Sequence, residues 1–200
     1  MNTDITPHLW VAKIPFLATL LHRLELLTHE RYSEHQRGVF KTVKYLDVTR
    51  RFSFGDNTFE CAFSSHVLDN LYPAQARFCL QEVLRVLRPN GILRLALCDL
   101  DQLVREYDPA DPDRFCQTMY LSNQPKDKNR HHWMYNERSL TKLLSQVGFR
   151  EITRRSFKVG DCPDVEVIDN RPASLFVEAR KPDKGRGDPV DHVINEGAHV

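Results

Sequence analysis

Glu82-Val83-Leu84-Arg85-Val86-Leu87-Arg88-Pro89-Asn90-Gly91-Ile92-Leu93-Arg94-Leu95-Ala96-Leu97 is the stretch that decides how this chain folds. Phe78, Cys79, Val83, Val86 and Leu87 recur at helical spacing, so a helix is expected from Pro73 to this point. Arg88-Pro89-Asn90-Gly91 should stop it, because proline cannot continue a helix and Gly91 is expected to supply the positive φ of a tight turn. Residues 92–97 then read as a strand. Upstream, Phe59-Glu60-Cys61-Ala62-Phe63-Ser64 is an apolar run of the length that a buried parallel strand needs. Residues 59–97 are therefore expected to form one right-handed βαβ unit.

The pattern continues on both sides. Residues 43–48 are a short strand candidate, and Phe16, Leu17, Leu20, Leu21, Leu24 and Leu27 mark one face of an earlier helix, most simply a core face. Residues 101–107 read as a short helix, and 109–130 as a polar, proline-bearing loop. Leu140, Leu143, Leu144 and Val147 make a helix closed by Gly148. Residues 150–158 and 175–179 read as two strands separated by about 16 residues without helical periodicity, as an antiparallel pair requires. The expected fold is a mostly parallel α/β sheet with an antiparallel C-terminal edge pair. From Pro182 the chain is rich in Gly, Pro and charge, which reads as a flexible tail over 182–200.

The 200 residues carry 28 Lys and Arg against 27 Asp and Glu, a net charge of +1. That balance argues against a partner held by overall charge, such as nucleic acid or an anionic membrane surface. The chain opens without a basic and apolar leader, and its most apolar stretch, residues 14–27, is broken by His22, Arg23 and Glu25. No membrane span is expected there. Five cysteines at 61, 79, 98, 116 and 162 form no CxxC pair and read as reduced core residues of a cytoplasmic protein.

Three segments carry a resemblance. Phe52-Ser53-Phe54-Gly55-Asp56-Asn57-Thr58-Phe59-Glu60, Ser64-Ser65-His66-Val67-Leu68 and the stretch from Glu82 to Leu93 resemble class I S-adenosylmethionine-dependent methyltransferases, in the branch called methyltransferase type 11. Cys98-Asp99-Leu100, Gly148-Phe149 and residues 174–179 continue the match, so it covers roughly residues 43–181. The resemblance implies a Rossmann-like domain over 1–181, with residues 8–40 as a helical lid insertion. It implies S-adenosylmethionine as cofactor. In one respect the chain departs from the family: its first glycine is Gly38, so no glycine-rich loop can follow a first strand. Asn2-Thr3-Asp4-Ile5 resembles the end of the family's second strand, which places the first strand and its loop before this chain or makes them lost. A second chain completing the sheet is a further alternative.

Site residues follow from position in the family and from chemistry. Asp4 is a candidate ribose ligand, with an inert terminal residue as the alternative. Asp47 and the Val48 N–H are candidates for the adenosine, with a turn aspartate as the alternative. Ser64 and Ser65 end a strand where ligands gather in open α/β sheets. His66 is the catalytic candidate, able to orient the acceptor or accept a proton, or else a structural histidine. The family's Glu-His pair after this segment is replaced by Asp69-Asn70. Asp99, His132 and Trp133 are candidate substrate contacts, with Asp99 or Asp101 alternatively capping a helix. His131 and His132 are adjacent and diverge, which makes a poor metal pair, so no metal is expected.

The expected function is methyl transfer to a small-molecule or carbohydrate-like acceptor, the latter implied only by the resemblance. The alternative is a catalytically silent fold that serves as a binding or scaffolding partner. Without the glycine loop the chain is expected to bind S-adenosylmethionine weakly.

Overall fold

The computed structural model describes residues 2–4, 11–14, 16–38, 41, 43–120 and 131–183. Residues 121–130 of the expected loop, and the expected tail from 184 onward, lie outside the described residues, as do parts of the expected lid. The chain divides into two compact units, Met1–Ser53 and Phe54–Val200.

In the first unit, β1 (Asn2–Asp4) pairs in parallel with β2 (Val43–Tyr45), Asp4 opposite Tyr45. Helices α1 (Leu17–Arg23) and α2 (His29–Gln36) lie between them in sequence. The stripe expected as core is buried only at its end: Leu27 is buried, whereas no residue of α1 is, and Phe16, Leu20 and Leu24 are exposed. The helix stops after two turns, where Glu25 takes a positive φ of 57° and the His22 ring turns to the Leu27 carbonyl and stacks on Tyr32. The stripe is too short to present a continuous face.

The second unit is built on a four-stranded sheet in the order β3-β4-β6-β5. Strand β3 (Phe59–Ser65) runs parallel to β4 (Leu87–Cys98), with α3 (Pro73–Val86) as the crossover. Strand β6 (Ser174–Arg180) is antiparallel to β4 and to β5 (Arg150–Arg155), so the last two strands pair as expected. Leu93, Arg94, Leu95, Ala96 and Leu97 of β4 are all buried, which is what a strand covered on both faces demands.

Proline starts α3 and the Gln75 side chain accepts the Tyr72 N–H, supplying part of its N-terminal cap. Its inner face buries Ala76, Cys79, Leu80 and Val86. On its flank, Arg85 binds Glu82, Asp56 and the Phe54 carbonyl. The Asp56-Asn57 segment and the helix after it are thus one ion-paired corner, which gives part of the recurring motif a structural reason.

Several expectations need correction. There is no loop between α3 and β4, since β4 starts at Leu87 directly after Val86. Asn90, not Gly91, takes the positive φ, at 63°. Gly91 is small for another reason: a Cβ there would stand 2.8 Å from the Arg88 carbonyl oxygen. The polar stretch after Tyr107 contains a helix, α5 (Pro112–Tyr120), which follows α4 (Leu100–Arg105). Strand β5 ends at Arg155 rather than 158, because Lys158 turns with φ 58° and its N–H is held by Asp169. The connection to β6 includes the single turn α7 (Val165–Ile168). By contrast, the helix closed by Gly148 is as expected. It runs as α6 from Glu137 to Val147, with Asn136 and Ser139 reciprocally capping its start and Gly148 left-handed at φ 117°.

Candidate functional site

The two acidic candidates of the first unit stand at the same end of its sheet. Asp4 is the last residue of β1, and Asp47 follows β2 by two residues. Asp47 accepts the Thr49 N–H at 3.0 Å and the Thr49 hydroxyl at 2.6 Å, and Arg50 Nε lies 3.2 Å from its other oxygen. These contacts, led by the Thr49 hydroxyl, hold its carboxyl below the usual carboxylate range. Locally this is an Asx turn, with Val48 inside it.

In the second unit the candidates gather where β3 and β4 end. Ser64 and Ser65 lie opposite Leu95 and Ala96. His66 leaves the strand with a positive φ of 50°, its N–H held by the Ala96 carbonyl. That left-handed residue is costly for a non-glycine, so surrounding contacts must maintain it. They do. Nε2 meets the Ser174 hydroxyl at 3.0 Å, Nδ1 lies 3.5 Å from Asp69 Oδ2, and Asn70 donates to the His66 carbonyl.

Asp69 is the centre of this arrangement, and it is 1% exposed. His66 Nδ1 and His131 Nε2 lie 3.5 and 3.8 Å from its Oδ2, and the Cys98 N–H lies 3.4 Å away. Cys98 Sγ is 3.6 Å from His66 Nδ1 and 3.7 Å from His131 Nε2. His131 is itself buried, with Nδ1 on the Met119 carbonyl at 3.0 Å. Asp69 Oδ1, Asn70 Oδ1 and the Tyr135 hydroxyl are buried without a partner. Burial pulls the Asp69 carboxyl up, but the His66 contact and the His131 charge outweigh it, so the carboxyl is held low. Burial first, and then the Asp69 charge, pushes both the Cys98 thiol and the Tyr135 hydroxyl up to about 12.

The remaining candidates border this cluster without entering it. The N–H groups of His132 and Trp133 donate to the Asp69 carbonyl at 2.7 and 3.1 Å, the His132 ring stacks on Tyr72 at 4.3 Å, and Trp133 is half-exposed. Asp99 caps α4 through the Asp101 N–H and pairs with Arg154 at 3.2 Å. Sequence reasoning missed Asp69, Cys98 and His131 as partners. The only signal was the departure at Asp69-Asn70, and nothing local foretold that an imidazole 62 residues later would reach the same carboxylate. The reading of the cysteines as core also needs correction at Cys116, which is exposed, while all five thiols are free.

The family model of the methyltransferase domain matches residues 24–95, which takes in β2, β3, α3 and most of β4. No curated protein matches the chain. Among solved structures it is similar to a "possible exported protein" from Bordetella parapertussis, at 13% identity and TM-score 0.48 over 78% of this chain and 51% of that one. It is also similar to an S-adenosylmethionine-dependent methyltransferase from Methanosarcina mazei, at 18% identity and TM-score 0.44 over 70% and 66%. A third, from Archaeoglobus fulgidus, gives 17% and 0.49 over 76% and 73%. The chain spans less than two thirds of the first two of these proteins. Among the described residues no helix is long and apolar enough to cross a membrane. Over that matched segment, and in the motifs within it, the chain is similar to the methyltransferase domain.

Proposed function

We propose that this chain carries out S-adenosylmethionine-dependent methyl transfer to a small-molecule or carbohydrate-like acceptor. The observation that carries the reading is the family match over β2, β3 and β4, whose strand ends bear the polar candidates. Asp4 and Asp47, at the carboxyl ends of paired parallel strands, would take the adenosine hydroxyls, with the Val48 N–H beside them. Within the second unit, Ser64 and Ser65 at the end of β3 are the cofactor candidates, and Asp99, His132 and Trp133 would meet the acceptor. S-adenosylmethionine supplies the electrophilic methyl, and the chain's share of the work is alignment.

Of the two roles expected of His66, proton acceptance finds the less support, since both ring nitrogens already face protein groups. An acceptor that ionises readily needs no base from the protein.

Calorimetric titration with S-adenosylhomocysteine tests the reading. Weak binding is expected, and Asp47→Ala should weaken it tenfold or more, the worth of about one charge-assisted hydrogen bond of 1.5–3 kcal/mol. Binding indifferent to Asp47→Ala would overturn the assignment of Asp47. No binding at all would favour a silent, scaffolding fold.

A further inference from the structure

We propose that His66 Nδ1, Asp69 Oδ2, Cys98 Sγ and His131 Nε2 are the four ligands of a tetrahedral divalent cation, zinc by its donor set. The inference does not rest on methyl transfer, although it shares His66 with that reading, and it concerns what holds the strand ends together.

Distances carry it. Four of the six separations among these atoms measure 3.5, 3.6, 3.7 and 3.8 Å. A hydrogen bond to a carboxylate is about 2.7–3.2 Å, so the Asp69 contacts are too long to satisfy a buried charge. Zinc bonds of about 2.0–2.3 Å set the edges of a tetrahedron at roughly 3.3–3.6 Å, close to the spacing seen. The donor atoms of His66, Asp69 and Cys98 all lie within 4.8 Å of one another. They come from different elements: the end of β3, the single 3₁₀ turn Leu68–Asn70, the end of β4, and the segment after α5.

Tautomers point the same way. The Met119 carbonyl can only accept, so His131 Nδ1 carries a proton, and Nε2 is the ring nitrogen that faces Asp69 and Cys98. His66 Nε2 is likewise occupied by Ser174, which frees Nδ1 for the centre. Outer hydrogen bonds of this kind orient metal-bound imidazoles and fix their tautomer. The second, independent sign is Asp69 Oδ1, a buried polar atom without a partner beside the same centre.

Two imidazoles, a thiolate and a carboxylate suit zinc among the common divalent ions. Binding breaks the Cys98 S–H bond, releases its proton to solvent and forms the metal–sulfur bond. Four protein ligands leave no open position, so the ion would be structural. It would tie the segment at His131 to the ends of β3 and β4.

Titration of the full chain with cobalt(II) and with zinc tests the site. One equivalent of cobalt should give the strong visible bands of tetrahedral coordination and a thiolate charge-transfer band, both displaced by zinc. Cys98→Ser should abolish the thiolate band, and Cys116→Ser should leave it unchanged. His131→Ala should weaken zinc at least a hundredfold in competition with a chelator. Should that variant fail to fold, Ser174→Ala keeps all four ligands and should weaken zinc about tenfold. No tetrahedral spectrum, or a thiolate band that survives Cys98→Ser, would overturn the proposal. Neither result depends on S-adenosylhomocysteine binding.

Discussion

At Arg94 and Cys98, four residues apart on β4, the same strand buries two polar clusters that are satisfied very differently. Arg94 is fully buried, and all five of its N–H groups have acceptors: Asp169 twice, Glu178, and the Val159 and Ser156 carbonyls. Glu178 in turn accepts from the Asp161 and Cys162 N–H groups and from Arg155. The Cys98 cluster holds a buried carboxylate whose contacts are all 3.4 Å or longer, with three orphaned oxygens nearby. Burial alone therefore does not mark a functional site. A closed set of short bonds belongs to the fold, whereas an open set of long ones has room for something else.

The largest effect should come from breaking the closed cluster. Arg94→Met leaves Asp169 and Glu178 buried without their cation and is expected to cost about 3–5 kcal/mol, read from the urea midpoint. Gly160→Ala strikes the same network from the side, because its Cβ would stand 2.2 Å from Glu178 Oε1 and 2.5 Å from Arg94 Nη1. About 2–3 kcal/mol is expected, and a neutral result would mean that the loop yields easily. In the open cluster, Asp69→Asn in chelator-treated protein should cost less, about 1–2 kcal/mol, since no short bond is lost. A loss equal to that of Arg94→Met would erase the contrast between the two clusters.

Smaller still is Thr49→Ala, which removes the hydroxyl that most lowers Asp47. Its carboxyl should then titrate higher, nearer the ordinary aspartate value, as followed by NMR. The sign follows from the lowered value: Asp47 adds stability above its unfolded pKa, and that share fades as pH falls through the folded one. With Thr49→Ala the acid side of the stability profile should flatten slightly.

The closed cluster and the open one were equally hidden from sequence reading. Residues 59–63, 73–86 and 92–97 announced themselves because helix and strand periods are local, and Gly148 announced its cap for the same reason. Arg94 looked like one polar residue in an apolar strand, yet its partners lie 62–84 residues downstream. His131 looked like half of a divergent pair and joins Asp69 only through the fold. Asn90 took the turn expected of Gly91 because asparagine tolerates the left-handed region, while the glycine was needed for close approach to a carbonyl. The candidates Asp47 and Asp99 were legible as residues. Their immediate contacts, a turn and a helix cap, follow from short-range hydrogen bonding that competes with any ligand.

Strand order has a consequence for how the chain is made. The pairing of β4 with β6 joins Cys98 to Ser174 and Ile92 to Arg180, partners some 76 to 88 residues apart in sequence. Until β6 emerges from the ribosome, the apolar run of β4 has one edge bare. At synthesis rates of about 5–20 residues per second that interval is on the order of 4–18 seconds, long against the formation of a helix or hairpin. A nascent chain arrested before residue 174 should therefore recruit chaperones that one released past residue 183 does not, because a bare apolar strand edge is a template for aggregation.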